Sequence, residues 1–170
     1  MYQIYKDDKD KVVELTQVPQ SSVGAPCPMV LSDEHTLVLA YYMEAPRDGW
    51  DGKTVRMVGP DTEGESVAMV RFHSCYARMF GPPNDEAFSG HPLYSRGLRP
   101  YSANIIENSS WIHSLAKMNN FRCMWMYDSR KHFIWAFHGS TFECVADGYE
   151  IILKQGSLRS LVPEMLRLLV

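Results

Sequence analysis

Residues 132–147, HFIWAFHGSTFECVAD, place a short polar stretch between two apolar runs, and their pattern predicts the centre of the fold. Gly139-Ser140 suits a two-residue hairpin turn with glycine first, as a type II′ turn requires. A turn there pairs Phe137 with Phe142 across two antiparallel strands. Because successive strand residues point to opposite faces, the hairpin separates into an apolar face and a mixed face. The apolar face carries Phe133, Trp135, Phe137, Phe142, Cys144 and Ala146.

On the mixed face, this register makes Glu143 the diagonal neighbour of His138. A carboxylate beside an imidazole raises its affinity for a proton and fixes its tautomer, as acid–base catalysis near neutral pH requires. A solvated surface pair is the ordinary alternative, because exposed charged pairs are common and weak. The hairpin therefore predicts His138 and Glu143 as a catalytic pair. His132, at the far strand end beside Asp147, is expected to be structural or solvated.

The remaining apolar segments predict further strands. Asp147-Gly148 is a second turn signal, so residues 131–154 are predicted to form a three-stranded antiparallel meander. Residues 35–44, HTLVLAYYME, are apolar on both faces, as in a central strand covered on two sides. Residues 67–80, VAMVRFHSCYARMF, alternate along one long strand that Pro82-Pro83 ends. Short strands are predicted near residues 12–18, 29–31, 54–58 and 101–107.

The long strand 67–80 carries two candidate site residues, Arg71 and His73, on its polar face. Apolar residues share that face, which suits the wall of a pocket better than open solvent. We therefore predict that this strand meets the mixed face of the hairpin. His73 would then take a catalytic role and Arg71 a role in substrate binding.

Two short helices complete the predicted elements. Ser109 or Ser110 can cap the segment WIHSLAKMNN, whose apolar residues share one face, so a helix is predicted over about residues 109–119. The C-terminal helix is predicted to carry Pro163 in its first turn. Strands dominate without regular βαβ alternation. The sequence therefore predicts an α+β fold, a single globular domain over residues 1–170, with a curved antiparallel sheet arranged as a barrel or a sandwich.

Residues 81–97, GPPNDEAFSGHPLYSRG, form a connection that is long for a compact domain. Its apolar and aromatic residues disfavour disorder. We predict that this loop folds over the mixed face as a lid and brings His91, Tyr94 and Arg96 to the substrate. Arg96 would meet an anionic group on the ligand. Alternatively, Arg96 pins the loop to a nearby carboxylate, Asp85 or Glu86.

Composition narrows the class of protein. The chain has 170 residues, 45% hydrophobic and 22% charged, with a formal net charge of −3. No stripe of Lys and Arg could neutralise a row of phosphates, so we expect no nucleic-acid partner. No apolar run is long enough for a membrane span, and the N-terminus has no apolar signal region. We therefore expect no membrane partner and a cytoplasmic location.

Cysteine and histidine spacing bears on metal binding. The four cysteines form no C-x-x-C pair and are expected to be buried thiols: Cys27, Cys75, Cys123 and Cys144. A metal site is an alternative, because His73 and Cys75 lie on one side of the long strand and His91 or His138 would complete the ligand set. No helix carries a histidine pair at metal-binding spacing. The sequence thus predicts no metal and no cofactor.

The predicted function is a cofactor-independent small-molecule enzyme that uses His/Glu acid–base chemistry in a pocket on the polar sheet face. An isomerase, lyase, cyclase or hydrolase would suit such residues. The first alternative is a non-catalytic interaction module, such as an inhibitor or immunity-like protein; the second is a mononuclear metal-dependent enzyme with histidine ligands. The expected partner is a small molecule, anionic if Arg96 binds it, and an oligomer would use the C-terminal helix. The predicted site comprises His138, Glu143 and His73 as catalytic residues and Arg71, His91, Tyr94 and Arg96 as substrate-binding residues.

Overall fold

The computed structural model describes residues 2–44, 56–119 and 129–170. In this part of the chain nine strands form two antiparallel sheets, of order β1-β6-β7-β8-β5 and β2-β3-β4-β9, accompanied by two α-helices and two short 3-10 helices. The strands are β1 (Lys11–Glu14), β2 (Met29–Ser32), β3 (Leu37–Tyr42), β4 (Glu65–His73), β5 (Ala77–Gly81), β6 (Ala103–Glu107), β7 (Lys131–Ala136), β8 (Thr141–Ala146) and β9 (Gly148–Gly156). The helices are α1 (Ser110–Met118) and α2 (Val162–Arg167), with 3-10 helices at Phe88–Gly90 and Tyr94–Arg96.

The two sheets pack face to face around the main apolar core. Phe72 of β4 contacts three rings of the other sheet, with centroid distances of 5.3 Å to Trp135, 5.6 Å to Phe142 and 5.7 Å to Phe133. Aromatic pairs at such distances stabilise a core beyond the area that they bury. The predicted α+β class, with curved antiparallel sheets and two short helices, is confirmed. The sheets form a sandwich and do not close into a barrel.

Each sheet also has an outer face that other parts of the chain cover. Phe88 and Leu93 of the long loop pack over the first sheet, together with Trp111 of α1. Met165 of α2 packs over the second sheet. Central strands are therefore buried on both faces, which explains why all six residues of β3, LVLAYY, are buried.

Both helices lie where the sequence predicts them. Ser109 caps α1, and its side-chain oxygen accepts the Ile112 N–H at 3.3 Å. Pro163 lies in the first turn of α2, where its missing N–H removes no helical hydrogen bond. Among the residues that the structure describes, no helix has the length and apolar character needed to cross a membrane.

The β7–β8 hairpin differs from its predicted register by two residues. Ala136 lies opposite Thr141, and the Phe137 N–H donates to the Ser140 carbonyl at 2.8 Å. The turn is therefore centred on His138-Gly139, one residue earlier than predicted. A shift of two residues leaves every side chain on its original face, whereas a shift of one would invert them all. The predicted apolar face is thus correct and points into the core between the sheets.

The predicted meander is wrong in its third strand. β9 pairs with β4 in the second sheet and not with β8. The predicted single strand over 67–80 is also wrong, because it divides into β4 and β5, which belong to different sheets. Ser74 lies at the corner between them with a left-handed φ of 51°. The two crossings between sheets lie side by side, and the Asp147 N–H donates to the His73 carbonyl at 3.0 Å.

The other predicted strands and the cysteines have mixed outcomes. The strands predicted near 12–18, 29–31, 35–44 and 101–107 correspond to β1, β2, β3 and β6. The strand predicted near 54–58 falls partly outside the described residues, and its described part forms no strand. Cys75 and Cys144 are buried free thiols, as expected, and Cys27 is partly buried. Cys123 lies outside the described residues.

Candidate functional site

The predicted site residues lie in separate places. Glu143 lies on the outer face of the first sheet beneath the long loop, and His91 of that loop contacts it. His138 lies in the β7–β8 turn. Arg71 and His73 lie on the same face of β4 as Val67 and Met69, which pack under α2, so they lie on the outer face of the second sheet. The prediction that these side chains share one pocket is wrong, because β4 and the hairpin belong to different sheets.

Glu143 is a buried carboxylate that accepts three hydrogen bonds. The Tyr2 hydroxyl donates to Oε2 at 2.7 Å, His132 Nε2 lies 2.9 Å from the same oxygen, and His91 Nε2 lies 3.1 Å from Oε1. We call these four residues the Glu143 cluster. His138 is not among them, because the two-residue shift moves His132 into the diagonal position beside Glu143. The predicted pairing of His138 with Glu143 is therefore wrong.

Both imidazoles of the Glu143 cluster donate to Glu143 through Nε2–H. Ser109 Oγ lies 2.9 Å from His132 Nδ1 and also accepts an N–H from the first turn of α1, so its own proton is available to Nδ1. The Leu93 N–H donates to His91 Nδ1 at 3.1 Å. Each Nδ1 is therefore an acceptor, which leaves the two Nε2–H groups to donate to Glu143.

Burial and these hydrogen bonds decide the charge of the cluster. Burial acts to raise the pKa of Glu143, but hydrogen bonds from His132 and His91 outweigh it and lower that pKa to about 2. Burial lowers the pKa of His132 and raises the pKa of Tyr2. Glu143 is thus an ionised carboxylate that accepts hydrogen bonds from Tyr2, His132 and His91.

The position of the Glu143 cluster indicates a structural role. Both histidine side chains are fully buried, and Glu143 is 5% exposed. A solute could reach them only if the covering loop moved away. The cluster joins the N-terminal segment, the long loop and β7 to one carboxylate of β8, and Ser109 extends it to α1. This burial argues against the predicted catalytic role of Glu143 and the predicted substrate-binding role of His91.

The remaining loop residues make contacts within the protein. Arg96 Nη2 donates to the carbonyls of Tyr5 and Lys6, each at 3.2 Å, and therefore pins the loop to the N-terminal segment and not to Asp85 or Glu86. The Arg99 guanidinium lies 5.0 Å from the Tyr94 ring centroid. The loop does fold over the mixed face of the hairpin, as predicted. Its opening as a lid remains a prediction.

Arg71 and His73 meet a carboxylate of their own sheet. Arg71 Nη1 lies 3.2 Å from Glu150 Oε1, and His73 Nε2 lies 4.0 Å from the same oxygen. Arg71 Nη2 lies 3.5 Å from the Val170 carbonyl oxygen. These contacts occupy a partly exposed surface of β4 and β9, on the far side of the sandwich from Glu143.

His138 lies in a different cluster, with Asp85 and Tyr101, which we call the His138 cluster. His138 Nδ1 lies 2.9 Å from Asp85 Oδ2, and the Asp85 N–H donates to the His138 carbonyl at 3.1 Å. The Tyr101 hydroxyl donates to the same carboxylate oxygen and lies 3.1 Å from His138 Nδ1. The His138 side chain is 52% exposed, whereas that of Asp85 is 16% exposed. One imidazole nitrogen is thus held by a carboxylate while the ring remains open to solvent.

Hydrogen bonding sets the charges in the His138 cluster. The hydrogen bond from the Tyr101 hydroxyl is the main cause that lowers the pKa of Asp85, and the hydrogen bond from His138 lowers it further. The same hydrogen bond raises the pKa of Tyr101, so this residue stays a neutral donor. An ionised Asp85 accepts a hydrogen bond from His138 Nδ1–H, which leaves Nε2 available to a ligand.

Tyr101 has an unusual backbone conformation. Its φ is 60°, in the left-handed region that residues other than glycine seldom adopt. Gln20 Nε2 donates to the Tyr101 carbonyl at 2.8 Å. The Tyr101 ring lies nearly parallel to the His138 ring, at an interplanar angle of 14°. Backbone conformations of this kind are often found at functional sites.

A cavity of about 300 Å³ lies beside the His138 cluster. Tyr101 forms part of its wall, and so does Phe137, the residue before His138. The wall includes apolar and aromatic residues together with polar ones from the segment after β1. It is formed by Glu14, Leu15, Thr16, Val18, Pro19, Gln20, Ser21, Tyr101, Ser102, Ala103, Trp135, Ala136 and Phe137.

Asp85 and Tyr101 are the functional candidates that sequence reasoning missed. Asp85 has a signal, since it lies in the loop predicted to fold over the hairpin, but the sequence indicates it only as an alternative partner of Arg96. Tyr101 had none, because its approach to His138 depends on the path of the chain between the loop and β6. The cavity likewise joins segments distant in sequence.

The four residues considered as metal ligands do not converge. His73 lies on the second sheet, Cys75 in the core between the sheets, His91 in the Glu143 cluster and His138 in its turn. Among the described ranges there is no group of three or more His, Cys, Asp or Glu side chains that could hold a metal ion.

Comparisons with protein families, with curated proteins and with solved structures find no match for this chain.

Proposed function

We propose that this protein is a small-molecule enzyme in which His138 is the acid–base group. The observation that carries the proposal is the 2.9 Å contact of His138 Nδ1 with the Asp85 carboxylate, one residue from the cavity wall at Phe137. A carboxylate on one ring nitrogen holds a proton there and leaves the other nitrogen to exchange protons with a ligand. His138 keeps the role predicted for it, with Asp85 in place of Glu143.

In the proposed reaction, His138 Nε2 removes a proton from the ligand and returns it to another atom. Asp85 stabilises the imidazolium that exists between these steps, and the Tyr101 hydroxyl keeps Asp85 ionised. Isomerisation, elimination, cyclisation and hydrolysis all need such a transfer. The ligand would occupy the cavity beside Tyr101 with its acidic proton within hydrogen-bond distance of Nε2.

A non-catalytic interaction module is the second candidate. β5 is an edge strand of the first sheet, and Phe80 on it is 48% exposed. Edge strands present unpaired backbone groups that another chain can bind. In that case the His138 cluster would only shape the turn, and replacing His138 would change no reaction.

Proton abstraction can be tested without knowledge of the natural substrate. The protein is incubated in heavy water with a panel of small carbonyl and amino compounds, and deuterium incorporation is read by mass spectrometry. We expect His138→Asn to slow incorporation by about 10²–10⁴-fold, the usual contribution of a positioned acid–base group. Asp85→Asn should show a smaller loss, since it removes the carboxylate and keeps the shape.

His35→Asn is the matched control, because His35 is an exposed histidine whose side chain is 81% accessible. It should react at the rate of the unmodified protein. Thermal melting of each variant establishes that the comparison is made on folded protein. If His138→Asn incorporates deuterium at the unmodified rate, the proposal is contradicted. If the protein catalyses exchange in no compound of the panel, the interaction module is favoured.

A further inference from the structure

We infer that the cavity beside Tyr101 binds a neutral small molecule whose carbonyl oxygen accepts a hydrogen bond from Trp135 Nε1–H. The inference rests on the proposed function, since it takes this cavity as the ligand site and names the class of compound bound there. It departs from the anionic ligand expected through Arg96. Three observations support it: an unpaired buried donor, the place of that donor beside the cavity, and the charge of the cavity wall.

Trp135 carries the unpaired donor. The residue is 2% exposed and contributes to the cavity wall, and its buried Nε1 has no hydrogen-bond partner among the described residues. Nearly all buried N–H groups in native proteins are paired, because an unpaired one loses its hydration without replacement. A site with such a donor therefore favours a ligand that brings an acceptor over one of the same shape that brings none.

The neighbours of Trp135 place this donor at the cavity. The Tyr41 hydroxyl donates to the carbonyl of Pro19, a residue of the cavity wall, at 2.8 Å. Burial raises the pKa of Tyr41 to about 12, and the contact of its hydroxyl with Trp135 opposes this only in part. The Tyr41 proton is thus used by Pro19, and Nε1 lies on the side of the indole that faces the Pro19 segment. This segment, residues 16–20, has no strand or helix, so a small shift of it gives a ligand oxygen access to Nε1.

The charge of the wall favours a neutral ligand. In the described part of the chain the wall contains no Lys, Arg or His, and its one acidic residue is Glu14. Glu14 has the strand parity of Val12, which packs on the outer face of the first sheet, whereas Leu15 and Trp135 pack in the core. The Glu14 carboxylate therefore belongs to the sheet face opposite the cavity. A charged ligand of either sign would lose hydration here without an ionic partner.

The remaining wall suits a hydrocarbon body with one polar group, as in many small-molecule sites. Its apolar members are Leu15, Val18, Pro19, Ala103, Ala136 and Phe137. Ketones, esters and amides combine such a body with an acceptor oxygen. A carbonyl group also acidifies the neighbouring C–H, which is the kind of proton that the proposed acid–base group would remove.

Two probes of nearly equal shape test the hydrogen bond: cyclohexanone, which has an acceptor oxygen, and methylenecyclohexane, which has none. Their binding to the full chain is measured by ligand-observed NMR. Trp135→Phe removes the donor and enlarges the cavity for both probes, so the hydrocarbon reports the change in space alone. We expect this substitution to weaken cyclohexanone by about two- to tenfold relative to methylenecyclohexane, the usual contribution of one hydrogen bond.

Trp111→Phe is the matched control, because Trp111 is also a buried tryptophan but packs on the outer face of the first sheet. It should leave the ratio of the two affinities unchanged. The indole N–H signal of Trp135 gives a second readout that needs no substitution at this position. Cyclohexanone should move this signal to lower field, and methylenecyclohexane should not. Cyclohexylammonium and cyclohexanecarboxylate test the charge, and both should bind more weakly than the ketone.

The outcomes separate this inference from the proposed function. It is overturned if cyclohexanone does not bind at millimolar concentration, if Trp135→Phe weakens both probes equally, or if either charged probe binds more tightly than the ketone. If Trp135→Phe does not fold, an indole signal that cyclohexanone leaves in place overturns it.

None of these results concerns the deuterium exchange by His138, and His138→Asn should bind cyclohexanone as the unmodified protein does. Ketone binding that depends on Trp135, together with unchanged exchange in His138→Asn, supports the ligand class and overturns the acid–base role.

Discussion

At Glu143, a single carboxylate collects hydrogen bonds from the N-terminal segment, the long loop and β7. A buried charge is tolerated only when hydrogen bonds replace its hydration, and here three hydrogen-bond donors do so. At His138, by contrast, the carboxylate partner lies near solvent and one ring nitrogen remains available. The two histidines of this hairpin therefore differ in exposure, which is why we propose the acid–base role for His138 and not for His132.

The first prediction compares His132→Ala with His138→Ala. His132→Ala removes a donor to the buried Glu143 and leaves Ser109 without its acceptor, so we expect a loss of about 2–4 kcal/mol in the free energy of unfolding. His138→Ala, in a half-exposed turn, should change it by less than about 1 kcal/mol. Urea unfolding measures both values. Equal losses would mean that burial does not separate the roles of the two histidines.

The second prediction concerns acid stability. The pKa of His132 is lower in the folded protein than its ordinary 6.5, and that of Glu143 falls from 4.5 to about 2. In both cases the unfolded chain binds the proton more readily, so the free energy of unfolding falls as pH falls. The loss begins below pH 6.5 through His132 and continues between 4.5 and about 2 through Glu143, where it is on the order of 3 kcal/mol.

Urea unfolding at a series of pH values measures this dependence. In Glu143→Gln the residue no longer titrates, so the slope between pH 4.5 and about 2 should flatten. Glu107→Gln, which removes an exposed pair with Lys11, is the control and should keep the slope. Stability that rises as pH falls through this range would show that the cluster gains protons on folding.

At the scale of single elements, α1 is fixed at its N-terminus by two neighbouring serines. Ser109 caps the helix and also lies 2.9 Å from His132 Nδ1. Ser110 contacts the buried carboxylate of Asp10 through its N–H at 2.7 Å and its hydroxyl at 2.5 Å. The start of this helix is therefore joined both to β7 and to the segment before β1.

The third prediction follows from the double role of Ser109. Ser109→Ala removes the helix cap and the donor to a buried imidazole, so it should cost about 1–3 kcal/mol of unfolding free energy. Ser114→Ala, in the same helix, removes only a hydroxyl that donates to the Ser110 carbonyl and should cost little. Thermal and urea unfolding compare the two variants. Equal effects would reduce the contribution of Ser109 to that of an ordinary surface serine.

The long loop behaves as an element of the fold in spite of its irregular backbone. Phe88 and Leu93 are buried, and His91 is held by Glu143 on one side and by the Leu93 N–H on the other. Because of these contacts, we expect local opening of the loop to require a free energy close to that of wider unfolding. The loop thus covers the outer face of the first sheet in the absence of a ligand. Whether it opens for a ligand is a separate question.

The fourth prediction tests this attachment by limited trypsin digestion at Arg96, within the loop. We expect slow cleavage in the unmodified protein, because the backbone must open before a protease can bind it. His91→Ala should increase the rate, since it removes the contact with Glu143, and Tyr94→Ala, at a partly exposed position, is the control. Fast cleavage at Arg96 in the unmodified protein would instead indicate a mobile lid.

At the scale of the whole molecule, two neighbouring chain crossings join the sheets. The chain leaves the second sheet after His73 and enters β5, and it leaves the first sheet after Ala146 and enters β9. The crossings are held together by the Asp147 N–H to the His73 carbonyl and the Tyr76 N–H to the Val145 carbonyl. This corner separates Arg71 and His73 from the hairpin and leaves His138 with partners from the loop and the segment before β6.

The sequence by itself determined the features that depend on neighbouring residues. The alternation in HFIWAF and TFECVA specified which hairpin face is apolar, Ser109 and Pro163 marked the helix starts, and the paucity of βαβ alternation indicated antiparallel sheets. Only the tertiary structure decided the register and the partners. A shift of two residues conserves the faces, so the pattern of side chains cannot distinguish Gly139-Ser140 from His138-Gly139 as the turn. The shift exchanges His138 for His132 beside Glu143, and Asp85 and Tyr101 reach His138 through contacts distant in sequence, which no local pattern encodes.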